Sequence, residues 1–503
     1  MMKKTLFSLI LSLLLLVSLL ASCNNGDVSQ TASSPAVSSD TSEGEKVYVA
    51  NVPSVNYDGD TFVILTSSNS ATASANPEFG GDGTLELEMD TINTAVYNRN
   101  ETVEAMLGID IQEQTVYNDG RISSAMYTYV TNAISGNLCN FNVCECSLYD
   151  SASLAVNGNF VNLYSLEYLH NLEEAWWDQS FNDGVTIDGK LYFALGDFGY
   201  VSNNAIPTVM FNKEMAASNG IENLYELVRQ KKWTIDVLKT YCKLVSKDVD
   251  KDGSITYLDE YGIGGQNDNM KNMFYGSGER IASIDDSTGL PVLTKYSERS
   301  DNVMTAIQEL MQESAYYVNA NDYFNVSGTP VKLLTTAFIE NRSLFFTDIL
   351  ACATDLREMK VDFGILPMPL YDENQGSYYS LVGAWTGGAF AIPYVLTDDE
   401  LEQTSIIMEV MGAAGKNIII PAYYDIILMG QITRDDDSQE MLEIMFDTKG
   451  TDLGLIFKWG GYYSLFNTMI SAQIGTFRSN YEQSEEKAFA DIEATVEAFR
   501  AFG

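Results

Sequence analysis

Hydrophobic and polar positions follow two different periods in the first third of the chain. Thr61–Thr66 is a short apolar run, and polar Ser67–Ser70 follows it, which predicts a buried strand with a loop at its carboxyl end. Apolar residues then recur at helical spacing before the next short apolar run. The pattern predicts helix, strand, helix and strand over Asn93–Leu107, Ile109–Ile111, Ile122–Ile134 and Asn142–Ser147.

The same two patterns return further along the chain. Gly189–Ala194 and Val209–Asn212 are predicted strands, and Thr234–Ser246 and Val303–Glu313 are predicted helices. Strands that alternate with helices are typical of helices packed on a mostly parallel sheet. The predicted fold class is therefore α/β.

The amino terminus has the features of an export signal. Lys3 and Lys4 precede Leu6–Ala21, which is apolar apart from hydroxyl residues, has the length of a signal-peptide core and is too short for a comfortable membrane span. It ends in Leu20-Ala-Ser-Cys23, which resembles the lipobox that lipoprotein signal peptidase cleaves. We predict a signal peptide over residues 1–22 and a diacylglycerol on the Cys23 thiol. An ordinary secretory signal that ends near a cysteine is the alternative.

A polar segment follows the predicted anchor. Residues 23–46 are rich in Ser, Thr, Ala, Asn and Gly. Such a segment buries too little apolar surface to offset the conformational entropy that is lost when the chain becomes ordered. We predict a flexible tether here. No later run has the ~18 uninterrupted apolar residues of a second span, since Pro421 and Asp425 interrupt even Asn417–Gly430. We expect a soluble body on the extracellular face of the cell membrane of a Gram-positive-type bacterium.

Length and charge limit the class of protein and of ligand. About 455 residues follow the tether, which suggests two or three domains or lobes. The chain has 69 acidic and 29 basic residues, a formal net charge of −40. Such an excess argues against nucleic acid as a partner and against polyanionic substrates. This charge favours neutral or cationic ligands only weakly, because a solvated acidic surface is the commoner explanation of such an excess.

Three cysteines lie close together in the sequence. Cys139, Cys144 and Cys146 have the spacing C-x4-C-x-C, for which metal binding is one interpretation. The segment also alternates apolar and polar residues as a strand does, and the chain's single histidine, His170, is distant in sequence. We favour a structural strand. Five mature thiols besides Cys23 form no evident disulfide framework.

An acidic loop has the spacing of a calcium site. Oxygen-bearing residues occupy positions one, three, five, seven, nine and twelve of a twelve-residue loop, with Gly253 at the turn in position six. An aspartate at position twelve has a shorter reach than the usual glutamate. We predict one structural Ca²⁺, with an acidic solvated turn as the alternative. The predicted ligands are Asp248, Asp250, Asp252, Ser254, Thr256 and Asp259.

Several short segments, in their order, resemble the extracellular solute-binding proteins of ABC importers, the family that includes maltose-binding proteins. They are Asp188-Gly-Lys-Leu-Tyr192, Phe211-Asn-Lys-Glu-Met215, Trp233-Thr234 and Asp362-Phe-Gly-Ile-Leu-Pro-Met-Pro369. Further segments resemble a branch of this family common in Gram-positive gut anaerobes. These are Pro421–Asp425, Arg434-Asp435, Ser438–Met441 and Trp459-Gly460.

The resemblance implies two α/β lobes joined by a hinge, with a ligand cleft between them. By analogy, lobe one comprises residues 47–185 and 361–430, and lobe two comprises residues 186–360 and 431–503. The segment Asp362–Pro369 is then a strand that crosses between the lobes.

Sugar binding needs flat aromatic faces and polar groups for hydroxyls. Trp385 lies among three glycines that leave room for a ligand, and Trp459 resembles the position where sugar binders present a stacking ring. Tyr275 is a third candidate. Ser68 and Asn69, at the end of the first strand, are expected to face the cleft. The other tryptophans, Trp176, Trp177 and Trp233, are expected to pack in the interior.

Catalytic motifs are missing from the sequence. His170 alone leaves little for a Ser-His-Asp triad, and Gly412–Lys416 lacks the spacing of a phosphate-binding loop. We therefore predict a monomeric binding protein rather than an enzyme, which captures an oligosaccharide and delivers it to the membrane permease of an ABC importer. A surface glycoside hydrolase and a binder of peptides or other solutes are the alternatives.

Overall fold

The computed structural model describes residues 46–69, 78–80, 91–118, 125–170, 172–427 and 436–502. The chain divides into Met1–Lys46 and a compact unit, Val47–Gly503. The predicted signal peptide, Cys23 and all of the tether except Lys46 lie outside the described residues. All structural statements below concern the compact unit.

Thirteen strands are described in the compact unit. They are β1 Asp60–Asn69, β2 Ile109–Asn118, β3 Val143–Ser147, β4 Pro207–Asn212, β5 Tyr261–Gly265, β6 Ala282–Asp285, β7 Leu290–Leu293, β8 Tyr317–Asn319, β9 Ser343–Ile349, β10 Phe363–Leu366, β11 Ser380–Leu381, β12 Gly388–Ala391 and β13 Lys449–Gly450.

The first sheet has the order β12-β3-β1-β2. Strands β2 and β3 are parallel to β1, and β12 is antiparallel to β3. Ile64 pairs with Val143, and both side chains are fully buried. The predicted β-α-β-α-β start of the chain is confirmed, because this sheet consists of those three strands and β12.

The second sheet has the order β10-β4-β9-β5-β8. Strand β5 is parallel to β8 and β9, while β4 is antiparallel to β9 and β10. Because β10 pairs with β4, residues 363–366 belong to this sheet, whereas the boundary at residue 361 assigned them to lobe one. The chain therefore returns from the second sheet to the first after Leu366, the last residue of β10. The other predicted lobe boundaries stay predictions.

Seventeen α-helices are described. They are α1 Thr91–Leu107, α2 Ala125–Ser135, α3 Leu148–Val156, α4 Gln179–Val185, α5 Val201–Asn204, α6 Lys213–Ser218, α7 Leu224–Arg229, α8 Ile235–Val245, α9 Asn269–Gly276, α10 Glu298–Met311, α11 Val331–Ile339, α12 Asp398–Ile427, α13 Asp436–Asp447, α14 Leu453–Ile456, α15 Tyr463–Met469, α16 Phe477–Glu482 and α17 Glu485–Ala501.

One predicted strand, Gly189–Ala194, is wrong. The chain turns sharply here, because Asp188 and Gly189 both have positive φ angles, of 54° and 73°. Only isolated bridges form on either side, between Ile187 and Lys190 and between Ala194 and Phe390. An apolar run next to a glycine is compatible with a buried turn as well as with a strand.

The interior is formed by apolar residues of both sheets and of the helices that cover them. Cys144 and Cys146 are buried in β3, as expected for a structural strand. Cys139 precedes this strand, and the expected alternation is absent because Val143, Cys144, Glu145 and Cys146 are all buried. The five described cysteines are free thiols. Among the described helices, the stretch Asp398–Asp425 is long and apolar enough to cross a membrane, but 72% of its apolar window is buried within the protein.

Buried polar contacts join segments that run between the sheets. The Lys449 ammonium lies 2.7 Å from the Asp178 carboxylate and donates to the Asn203 side-chain oxygen at 3.0 Å. Nearby, Lys416 and Asp197 form a second ion pair at 3.0 Å. Since β13 also pairs with β11, these contacts fix the crossing segments against each other.

Candidate functional site

The carboxyl end of β3 is the starting point of the candidate site. Strand β3 ends at Ser147 and continues directly into helix α3. The Ser147 hydroxyl caps this helix by accepting a hydrogen bond from the backbone N–H of Asp150 at 3.2 Å. The cap holds Tyr149 and Asp150 at the sheet edge where open α/β folds bind ligands.

Tyr149 brings several distant segments together. Its ring meets the Tyr463 ring edge to face, with centroids 6.0 Å apart and planes at 84°. The Lys458 ammonium lies 5.1 Å from the centre of the Tyr149 ring. On the other side, the backbone N–H of Tyr149 donates to the Ala384 carbonyl at 3.3 Å, next to Trp385. We call Tyr149, Asp150, Asp268, Trp385, Lys458 and Tyr463 the cleft cluster.

Asp150 and Lys458 form the charged centre of the cleft cluster. Asp150 is buried, and its charge acts on Lys458. Burial lowers the pKa of Lys458, and the nearby Asp150 charge opposes that shift. Lys458 also has a left-handed backbone, with φ of 57°, which is uncommon for a residue with a side chain.

The second sheet contributes acidic residues at the ends of its strands. Asp268 follows β5, and Asp348 lies at the end of β9. Burial raises the pKa of Tyr149, and the charge of Asp268, which follows a strand of the second sheet, raises it further. Burial raises the pKa of Asp348 to about 7; the hydrogen bond from the Ile349 backbone N–H opposes this and the Asp268 charge adds to it.

The cleft cluster also has exposed aromatic faces. Trp385 is 40% exposed and Tyr463 is 36% exposed. Both belong to segments that contact Tyr149. The cluster therefore combines open rings with carboxylates and one ammonium, and its members come from segments of both sheets and from the carboxyl-terminal part of the chain.

Comparison with solved structures gives the same architecture. An ABC substrate-binding protein, Lmo0181 from Listeria monocytogenes, in complex with cycloalternan, is 13% identical, with a TM-score of 0.54 over 87% of this chain and 100% of that one. A cyclo/maltodextrin-binding protein complexed with maltotetraose is 12% identical, with a TM-score of 0.53 over 86% of this chain and 98% of that one. The maltose/maltodextrin-binding domain MalE from Bdellovibrio bacteriovorus, bound to maltotriose, is 13% identical, with a TM-score of 0.51 over 86% and 100%.

This chain has the two-lobed fold of the ABC solute-binding proteins. The predicted fold class is confirmed, and the three similar structures are binding proteins, not enzymes. No protein-family model matches the chain, and no curated protein matches it by sequence.

Within this solute-binding fold, Trp385 is the predicted aromatic that lies in the cleft cluster. The reason given for it, open space beside the three glycines, is wrong. A side chain at Gly388 would collide with the Glu145 carboxylate, and one at Gly387 would collide with Val382. Protein atoms therefore fill that space, and the exposure of Trp385 comes from its position in the loop before β12.

Trp459 and Tyr275 are core residues in this structure. Trp459 is 1% exposed, stacks on Phe457 with centroids 5.1 Å apart and donates its indole N–H to the Thr495 hydroxyl at 2.8 Å. Tyr275 is also buried, with the Arg280 guanidinium 3.3 Å from its ring centre. Neither ring presents an open face to a ligand here.

Ser68 and Asn69 are the last two residues of β1. The prediction that a loop begins at Ser67 is therefore wrong, because the strand continues through Asn69. Their backbones pair with Tyr117 and Asn118 of β2. Because β1 and β3 are parallel neighbours, these residues lie at the same sheet edge as Ser147.

The acidic loop brings three of its predicted ligands together. The carboxylate oxygens of Asp248, Asp250 and Asp252 lie within 4.8 Å of one another. A hydrogen bond from the Asp252 backbone lowers the pKa of Asp250, but desolvation and the neighbouring carboxylates raise it above its usual value. Three oxygens that repel one another in this way fit a hard cation.

The other end of the loop serves a structural role. Asp259 is buried, and its two oxygens accept hydrogen bonds from the backbone N–H groups of Val249 and Thr256 at 2.8 and 2.9 Å. The Thr256 hydroxyl also donates to Asp259, at 3.0 Å. Ser254 donates its backbone N–H to Asp252 at 2.8 Å. The hydrogen bonds between Thr256 and the Asp259 carboxylate therefore hold the end of the loop in place.

Five residues of the cleft cluster were missed by the sequence analysis. Tyr149, Asp150 and Asp268 follow the carboxyl ends of strands, and this position is the signal that could have identified them. Lys458 and Tyr463 gave no such signal, because their place in the cluster depends on how the last hundred residues fold back onto α3.

Proposed function

We propose that the protein is the substrate-binding component of an ABC importer, which captures an oligosaccharide between its two lobes and delivers it to a membrane permease. The observation that supports this most is the cleft cluster itself. Tyr149 and Trp385 belong to segments of the first sheet, Asp268 follows a strand of the second, and Tyr463 and Lys458 come from the carboxyl-terminal segment.

The chemistry of the cluster suits a sugar. The exposed faces of Trp385 and Tyr463 can pack against the C–H faces of sugar rings, and the exposed carboxylate of Asp268 can accept hydrogen bonds from hydroxyls. A solute that touches both lobes favours the closed form through its higher affinity for that form. The three similar structures named above contain cycloalternan, maltotetraose and maltotriose, respectively.

A melting-temperature screen tests this function. Residues 47–503 are heated alone and with a panel of mono- and oligosaccharides, amino acids and short peptides. We expect an oligosaccharide to raise the melting temperature, because a ligand bound only by the folded state stabilises it. Stabilisation by a peptide alone would favour another solute class, and release of shorter sugars from a glycan would favour a glycoside hydrolase.

The proposal includes attachment to the cell membrane. Cys23 supplies the thiol for a diacylglycerol, and residues 24–46 form a tether that lets the body move near the permease. Two acyl chains anchor a protein stably, whereas one chain binds only marginally.

The proposal also includes one structural calcium ion in the acidic loop. The close approach of the Asp248, Asp250 and Asp252 oxygens supports it. Asp259 would hold the loop closed through its backbone hydrogen bonds rather than as a two-oxygen ligand. The ion would fix the connection between α8 and β5 and take no part in solute capture.

A further inference from the structure

A cavity of about 370 Å³ lies between helix α3 and the last helix, α17. This volume is at the small end of the ~300–1,000 Å³ typical of ligand pockets. Residues of three segments border it: α3, the turn before α15, and α17. The ones that matter below are Ser153, Asn157, Phe457, Lys458, Asp491 and Ala494.

The cavity begins where the cleft cluster ends. Ser153 lies one helical turn after Tyr149, and its hydroxyl donates to the Tyr149 carbonyl at 2.8 Å. Lys458 belongs to both the cleft cluster and the cavity. It borders the cavity, and its ammonium lies 5.1 Å from the centre of the Tyr149 ring. A ligand that extends from the cleft cluster along α3 would therefore reach the cavity.

The walls of the cavity combine an aromatic surface with polar groups. Phe457 is half-buried and stacks on Trp459, which gives one side a rigid aromatic base. The Lys458 ammonium has no carboxylate within 4.0 Å and no hydrogen bond among the contacts of the described residues. On α17, the described side-chain contacts of Asp491 use only Oδ2, which accepts from the Gly460 N–H at 2.8 Å and pairs with Lys487 at 2.5 Å. The cavity is thus bordered by a hydrogen-bond donor, the Lys458 ammonium, and by an acceptor, the Asp491 carboxylate.

We infer that this cavity extends the proposed sugar site and holds the far sugar units of a longer oligosaccharide, with Lys458 contacting the chain where it leaves the cleft cluster. The inference rests on the proposed function. It adds the class of solute: chains long enough to pass Tyr149 bind more tightly than the short ones that fill the cleft alone.

The test uses the glycan that gives the largest melting-temperature rise in the screen, in a series of increasing chain length from the disaccharide. Calorimetric titration of residues 47–503, which form a compact unit, measures each dissociation constant. Ala494→Trp fills the cavity from an exposed position of α17, so it removes no buried contact. Glu493→Trp adds the same ring at an exposed position about 100° around that helix, which does not border the cavity, and is the matched control.

We expect affinity to rise with chain length in the wild type, by roughly tenfold over the series, which corresponds to ~1.4 kcal/mol. Ala494→Trp should abolish that rise and leave the shortest glycan unaffected, while Glu493→Trp should behave as the wild type. Affinity that does not depend on length, or a length effect that Ala494→Trp leaves intact, overturns the inference but not the proposed function. If no glycan in the screen binds, both are overturned.

Discussion

The Tyr149 and Tyr463 rings meet edge to face, with centroids 6.0 Å apart. The first ring follows strand β3 of the first sheet, and the second lies on α15, near the end of the chain. Tyr149 is buried, whereas Tyr463 keeps an exposed face. The pair therefore fixes one aromatic wall of the cleft cluster: the inner ring supports the outer ring, which is open to a ligand.

Replacing Trp459 should lower stability more than it changes affinity. Its ring is buried against Phe457, and its N–H is bonded to Thr495. Trp459→Ala should reduce the free energy of unfolding by about 3–5 kcal/mol, as for other large core aromatics. Urea unfolding measures this change. Trp385→Ala, which removes an exposed ring, is the control and should unfold like the wild type. Unchanged stability of Trp459→Ala would show that the ring is not a core element.

Glu409 should make stability depend on pH. It accepts hydrogen bonds from the indole N–H groups of Trp176 and Trp177, at 3.1 and 2.6 Å. Burial raises its pKa from 4.5 to about 7, against the effect of these hydrogen bonds. The folded state therefore retains a proton that the unfolded state loses, so this group's contribution to stability falls as pH rises from about 4.5 to about 7 and stays low above that.

Glu409→Gln tests that dependence. Between pH 5.5 and pH 8, the wild type should lose about 2 kcal/mol more free energy of unfolding than Glu409→Gln, because the loss ends near pH 7 and one pKa unit corresponds to about 1.4 kcal/mol. Glu402→Gln, at an exposed position of the same helix, should keep the wild-type profile. Parallel profiles for the wild type and Glu409→Gln would contradict the assignment.

Calcium should stabilise the protein through the acidic loop. Adding Ca²⁺ to chelated protein should raise the melting temperature of the wild type, by mass action on the folded state. Asp250→Ala combined with Asp252→Ala should abolish the rise. The matched control, Glu493→Ala combined with Glu497→Ala, removes two exposed acidic residues of α17 and should respond like the wild type. An equal rise in both double variants would exclude this loop as the calcium site.

Cys23→Ala should release the protein from the membrane or leave it as an uncleaved precursor, because the proposal attaches the lipid to this thiol. Fractionation of cells with an antibody against the body measures this. Cys139→Ala, which removes a thiol from the folded body, is the control and should stay with the membrane. Normal processing and retention of Cys23→Ala would disprove the lipobox assignment.

Local patterns were enough to predict three of the four strands of the first sheet, but not β12. Each of its first three strands is a short apolar run with a helix-spaced segment after it, as in Thr61–Thr66 followed by Asn93–Leu107, and burial of one continuous apolar strand depends little on the rest of the chain. The same patterns failed at Gly189, where a left-handed turn has apolar neighbours.

The aromatic site residues were harder to predict, because an aromatic next to glycines looks the same in sequence whether it is exposed or buried. Trp385 and Trp459 both have such neighbours, yet one is 40% and the other 1% exposed. The difference arises from tertiary packing: α17 covers Trp459 and supplies Thr495, and nothing comparable among the described residues covers Trp385. Asp268 and Lys458 likewise meet Tyr149 only after distant segments come together.

The central claim is that one oligosaccharide contacts both lobes, and calorimetric titration of the glycan from the screen tests it most directly. Trp385→Ala on the side of the first sheet and Asp268→Asn on the side of the second should each weaken binding by roughly 1–3 kcal/mol, with unchanged melting temperature without glycan. Phe489→Ala, an exposed aromatic of α17, should bind like the wild type. If no glycan binds the wild type, or if either cleft variant binds as tightly as the wild type, the claim is contradicted.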